Sequence, residues 1–182
     1  MGTGRTWAAV GEAYQTRLDL LNRDFSPPAW LASLAGVDGS RARIAALLER
    51  IQDRVRGTED FVGPTTLFPV PPGRVLEAGE GDCLDRANLL TVLLAQLGLE
   101  ARVALLRIAG RPDVSPDVPG ISLFDHALVR VDLEEPLWVE TALPPERVGE
   151  LPVVCRGRRV LVVRGPGSRL LRTPGGGGGG SP

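Results

Sequence analysis

One cysteine, one histidine and one glutamate in this sequence are spaced so that they could act together on a carbonyl group. Cys83 lies in GEGDCLDRANLL (79–90), where a glycine-rich approach turns into a leucine-rich run. Two carboxylates flank it, and bare carboxylates would oppose a thiolate. A helix start resolves the conflict. With Asp82 as N-cap, Cys83 is the first helical residue and Asp85 the third, where an acidic group can return a hydrogen bond to the cap. Backbone N–H groups then absorb part of the carboxylate charge, and Cys83 projects from the positive end of the helix dipole, which favours a thiolate. The free N–H groups of that turn can stabilise an oxyanion, and Gly79 and Gly81 let a substrate backbone come close. The plainer alternative is an inert cysteine beside two capping aspartates.

A thiolate nucleophile generally works with a histidine, and the chain has one, His126. It falls in LFDHALVRV (123–131), which reads as a strand, followed by DLEEP (132–136) and the strand LWVETA (137–142). A turn centred near residue 134 opposes positions that sum to 268. His126 and Glu140 sum to 266 and differ by an even number, so they are diagonal neighbours on one sheet face. A carboxylate there would hold the imidazole in one tautomer and stabilise its cation. Glu140 as a merely solvated strand residue is the alternative.

The elements that must position these groups follow from periodicity. Trp7, Val10, Tyr14, Leu18 and Leu21 recur at helical steps, and DFSPP (24–28) ends that helix. A second helix is expected from about Ser40 to Arg56, with Ile44, Leu47, Leu48, Ile51 and Val55 on one stripe and Gly57 as its C-terminal cap. Residues 58–80 hold four prolines and no helical period, and read as a long irregular loop. The helix from Cys83 to Gly98 buries Leu89, Leu90, Leu93, Leu94 and Leu97, and its nearly all-round apolarity makes it central. Strands are expected at 101–108, 123–131, 137–142, 151–155 and 159–164. Helices first and strands later describe an α+β domain with an antiparallel sheet.

With 182 residues the chain fits one domain, 1–174, followed by a Gly-rich flexible tail or linker, 175–182. A net charge of −1 offers no bulk attraction to nucleic acid or an anionic membrane. No apolar run approaches the roughly 18 residues of a membrane helix, and the N-terminus as given shows no signal-peptide pattern. That implies a cytoplasmic protein by default, or an exported one if this is a piece of a longer chain. All 21 basic residues are arginine, so lysine Schiff-base chemistry and an internal lysine acceptor are excluded. Cys155 reads as an apolar strand residue. Two cysteines and one histidine are too few for a closed zinc site, so neither metal nor other cofactor is expected.

The run GEGDCLDRANLLTVLLAQLGLEARV resembles the core of the transglutaminase-like superfamily, whose signature is G-x-G-D-C-x-D-x-A leading into a leucine-rich helix. FDHALVRV looks like that family's histidine strand and LWVETA like its tryptophan–aspartate strand. LPPERVGELPVVCRG and RLLRTP are similar to bacterial members in which this core follows a β-rich N-terminal domain, and IQDRVRGTEDFVG also fits. The resemblance implies a papain-like fold with one central helix starting at the cysteine and packed on an antiparallel sheet. It further implies Cys83 as nucleophile, His126 as general base, Glu140 as orienting acid and Trp138 as a groove wall. Family members act on amides through a thioester that water or an amine resolves, so a peptide or protein amide is the implied substrate. Where the family has W-x-D-P-T, this chain has Trp138-Val139-Glu140-Thr141-Ala142, an acid one methylene longer. A module that keeps the fold but only binds a peptide or protein is the alternative function.

Overall fold

The structure is a computed structural model that describes residues 6–58, 66–108 and 112–175; the glycine-rich tail expected from 175 lies, beyond its first residue, outside the described residues. Helix α1 (Trp7–Asn22) starts where the Thr6 side chain accepts a hydrogen bond from the Ala9 N–H, and it buries Tyr14 and Leu18. A 3-10 turn, Ala29–Leu34, adds Leu31 and Leu34 to the core. Helix α2 (Ser40–Gln52) buries Ile44, Leu47, Leu48 and Ile51, as its stripe requires. It ends earlier than expected, with Asp53 at the C-cap. Gly57 is not its cap but lies in a two-residue strand, β1 (Arg56–Gly57), parallel to β2 (Glu80–Gly81).

The loop expected over 58–80 contains a helix, α3 (Pro72–Ala78). Pro72 sits in its first turn, where a missing N–H costs nothing, and Gly79 ends it at φ +69°. Seven residues are too few for an apolar period to appear in the sequence. Helix α4 (Cys83–Gln96) is the central one: Leu89, Leu90, Leu93 and Leu94 are fully buried, while Leu97, expected inside, is half-buried.

Five strands form one antiparallel sheet: β3 (Ala101–Leu106), β4 (His126–Val131), β5 (Leu137–Val139), β6 (Arg159–Val162) and β7 (Arg169–Arg172), in the order β5-β4-β3-β6-β7. The β4–β5 hairpin pairs Val131 with Leu137, Arg130 with Trp138 and Val129 with Val139, the register in which opposed positions sum to 268. Strand 151–155 does not form. Pro152 has no N–H for a ladder, its carbonyl accepts from the Cys155 N–H, and Val153–Cys155 is a 3-10 turn. Strand β7, not foreseen from periodicity, instead completes the edge beside β6.

Alternation along the strands divides the interior in two. Ala101, Val103, Leu105, Ala127, Val129, Val131 and Leu161 face the helices. Ala104, Leu106, Leu128, Trp138, Val160 and Val162 face the other way and pack with Leu151 and Cys155. The fold is α+β, with helices on one face and the segment around Leu151 and Cys155 on the other.

Candidate active site

The N-terminus of α4 is built by a reciprocal cap. Asp82 Oδ1 accepts from the Leu84 and Asp85 N–H groups at 2.9 and 3.1 Å, and Asp85 Oδ2 accepts from the Asp82 N–H at 3.0 Å. The other Asp85 oxygen accepts from the Val70 N–H at 2.7 Å, so this carboxylate also anchors the segment that leads into α3. Burial pushes the Asp85 carboxyl up, the Val70 and Asp82 N–H groups pull it down, and the neighbouring Asp82 charge raises it. Asp85→Ala is expected to lower stability by about 2 kcal/mol, since it leaves two partly buried N–H groups without acceptors. A denaturant midpoint within error of wild type would refute that assignment.

The capping has a consequence for chemistry. Two of the first-turn N–H groups that could have faced an oxyanion are already used by Asp82. The Cys83 N–H is the first-turn donor without an acceptor among the described residues. Gly81 is required beside it, because a Cβ there would stand 2.8 Å from Asp85 Cβ.

His126 is the first residue of β4. Asp125 holds it there: its N–H donates to the Leu106 carbonyl at 3.0 Å, and its Oδ1 accepts from the Ile108 N–H at 2.7 Å. Glu140 follows β5, and its Oε2 lies 2.6 Å from His126 Nε2. The extra methylene therefore does not break the contact. Glu140 Oε1 accepts from the Ala142 N–H at 3.1 Å, which fixes the longer side chain at its second oxygen. Glu140 is 4 % exposed.

Both thiols reach the same imidazole. Cys83 comes from the helix layer and Cys155 from the opposite cluster, and interaction with each favours the protonated His126 ring. Burial pushes the imidazole down; the interactions with Cys155, Cys83 and Glu140 and the Glu140 charge outweigh it, and His126 is held well above its ordinary range. Cys155, expected as an apolar strand residue, closes the 3-10 turn with its Sγ 4.0 Å from Glu140 Oε2.

Two supporting residues escaped the sequence reading. Gln52 Nε2 donates to the carbonyls of Thr141 and Leu143, at 2.9 and 2.8 Å, and clamps the chain just after Glu140. Arg86, one turn beyond Cys83 and 5 % exposed, points Nη1 at the Thr141 carbonyl, 3.4 Å away. Burial pulls its guanidinium down and the Glu140 charge pushes it back up. Its head group lies against Gly57, where a Cβ would stand 3.2 Å away. That contact gives Gly57 a role that helix capping did not. A basic residue in the first turn opposes the helix dipole, and this was the one local sign that Arg86 is placed for another reason.

A cavity of about 130 Å³ opens beside His126, lined by Thr66, Leu67, Leu84, Leu105, Ile121 and Phe124. Trp138, expected as a groove wall, is not among these. It is 7 % exposed and packs with Leu106 and Leu128 on the opposite sheet face, because it shares the parity of the second cluster.

The transglutaminase-like superfamily model matches residues 31–142, more than half of the chain and all of the segment from the second helix to Glu140. The chain belongs to the transglutaminase-like superfamily. Among solved structures, a protein of Parabacteroides distasonis ATCC 8503 described as a "putative protease" superposes with a TM-score of 0.67 at 14 % identity. That match covers 94 % of this chain but 32 % of the other, so the chain spans about a third of that protein's length. At that identity the likeness shows the fold, a papain-like core. No curated protein matches the sequence. Within this transglutaminase-like domain no helix among the described residues is long and apolar enough to cross a membrane.

Proposed function

We propose that this domain is a cysteine-dependent amide hydrolase or acyltransferase that works through a thioester, with Cys83 as nucleophile, His126 as general base and Glu140 as the acid that orients the imidazole. One observation carries the reading: a single imidazole is shared between a thiol at a helix N-terminus and a buried carboxylate. In this mechanism His126 takes the Cys83 proton and the sulfur attacks the amide carbonyl carbon. The developing oxyanion faces the Cys83 N–H. Collapse expels the amine, which leaves with the proton from His126, and the acyl group remains on sulfur. Water then yields a carboxylic acid, or an amine yields a new amide. With no lysine in the chain, an acceptor amine comes from another molecule.

Between the two thiols, local structure favours Cys83. Cys155 ends a three-residue 3-10 turn, so no helix dipole favours its thiolate, and its own N–H is spent on the Pro152 carbonyl. The apolar cavity next to His126 has room for one side chain of about benzene size. It supports a peptide amide carrying an uncharged, branched or aromatic residue beside the scissile bond. The partial cover of the structurally similar chain supports a domain that works joined to others.

The test is site-mapped alkylation together with turnover. Iodoacetamide at neutral pH should label Cys83 ahead of Cys155, and Cys83→Ala should abolish release from peptide amides bearing leucine or phenylalanine on the acyl side. Preferential labelling of Cys155, or turnover surviving Cys83→Ala, overturns the assignment. The second reading, a peptide-holding module, has one observation behind it: Cys83 is only 3 % exposed. It gains if peptide affinity is unchanged in Cys83→Ala and wild type shows no turnover.

A further inference from the structure

We infer that Cys155, His126 and Glu140 form a site for one divalent cation of the zinc class, and that its occupation withdraws His126 from Cys83. The binding half stands on geometry; the withdrawal half rests on the thioester reading above. The three potential ligand atoms lie within 4.8 Å of one another, the one such group among the described residues. They come from three separate pieces of chain, β4, the end of β5 and the 3-10 turn at 153–155, and two of them are buried. Only the tertiary fold brings a sulfur, an imidazole nitrogen and a carboxylate oxygen together.

The donor set selects the ion. Thiolate and imidazole favour a borderline-soft transition metal over magnesium or calcium, which prefer oxygen. Zinc bond lengths imply tetrahedral separations of about 3.3 Å between nitrogen and oxygen and about 3.6 Å between sulfur and oxygen. Here those separations are 2.6 and 4.0 Å, so the first pair opens by about 0.7 Å and the second closes by about 0.4 Å. Three protein ligands leave the fourth position to water or another small ligand, the arrangement of an accessible zinc rather than a closed structural one. The nearby positive charge is Arg86, outweighed by a carboxylate and a thiolate. Sequence counting, which found too few ligands for a closed site, did not consider a three-ligand site that includes a glutamate.

Binding at Nε2 has a defined effect on Cys83. The cation displaces the Nε2 proton and the Cys155 thiol proton, releasing both. A neutral imidazole with metal on Nε2 carries its remaining proton on Nδ1, so it has no lone pair with which to take the Cys83 proton. Glu140 is diverted to the metal at the same time.

The experiment uses the full 182-residue chain and cobalt(II) as spectroscopic probe. In Cys83→Ala, where no thioester chemistry is possible, one equivalent of cobalt should bind and give sulfur-to-cobalt charge-transfer absorption. Adding Cys155→Ser should abolish that band and weaken cobalt binding at least tenfold. Adding Glu140→Gln instead should weaken binding while keeping the band, a second variant that does not depend on tolerance at Cys155. A missing band in Cys83→Ala, or one that survives Cys155→Ser, overturns the site whatever the apo protein does in turnover assays. With wild type, zinc should slow iodoacetamide labelling of Cys83 at least tenfold, and Cys155→Ser should remove that effect. Equal slowing in both proteins overturns the withdrawal.

Discussion

His126→Gln is expected to lower turnover of a leucine- or phenylalanine-bearing peptide amide by about 10²–10⁴-fold, the usual contribution of a positioned general base. Glutamine keeps a polar group near Glu140 and Cys83 but cannot accept and return a proton. The loss should therefore fall on kcat more than on KM, because the apolar cavity that receives the side chain keeps its other walls. Iodoacetamide labelling of Cys83 at neutral pH should slow on the order of tenfold, since an unassisted thiol is only a few per cent ionised there. The labelling measurement is independent of knowing the substrate. If it leaves the Cys83 rate unchanged, His126 does not act on that thiol, however close the ring stands.

Arg86→Met is expected to cost about 1–3 kcal/mol of stability, since the Thr141 carbonyl loses a buried donor and Glu140 loses a favourable charge near it. Glu140, 4 % exposed and paired with His126 at 2.6 Å, also feels the Arg86 charge. Methionine fills much of the volume, so packing against Gly57 is largely preserved and the charge is what disappears. Urea unfolding would show a lower midpoint at constant slope. If the charge interaction with Glu140 matters, the double variant Arg86→Met with Glu140→Gln should lose less than the sum of the two single losses. Additive losses in the double variant would mean that Arg86 supports the fold through the Thr141 carbonyl and its packing, not through Glu140.

The parts of the site legible in the sequence were those set by short-range rules. Asp82 and Asp85 announced a capping box three residues apart, and the structure has both halves of it. The hairpin centre at 134 followed from the length of DLEEP, and parity alone put His126 and Glu140 on one face. Helix α3 stayed hidden because seven residues show no period, and the 151–155 strand was misread because hydrophobic β-branched residues outvoted Pro152.

The sequence by itself determined the cap, the register and the order of cysteine, histidine and acid. Each depends on neighbours a few residues apart or on a two-residue repeat. Tertiary structure alone decided that Cys155 and Arg86 stand around Glu140, that Gln52 clamps the chain behind it, and that Trp138 faces away from the cavity. These contacts join residues far apart in the chain, across a sheet whose end His126 occupies. No local periodicity encodes which turn of the opposite face will fold back over that end.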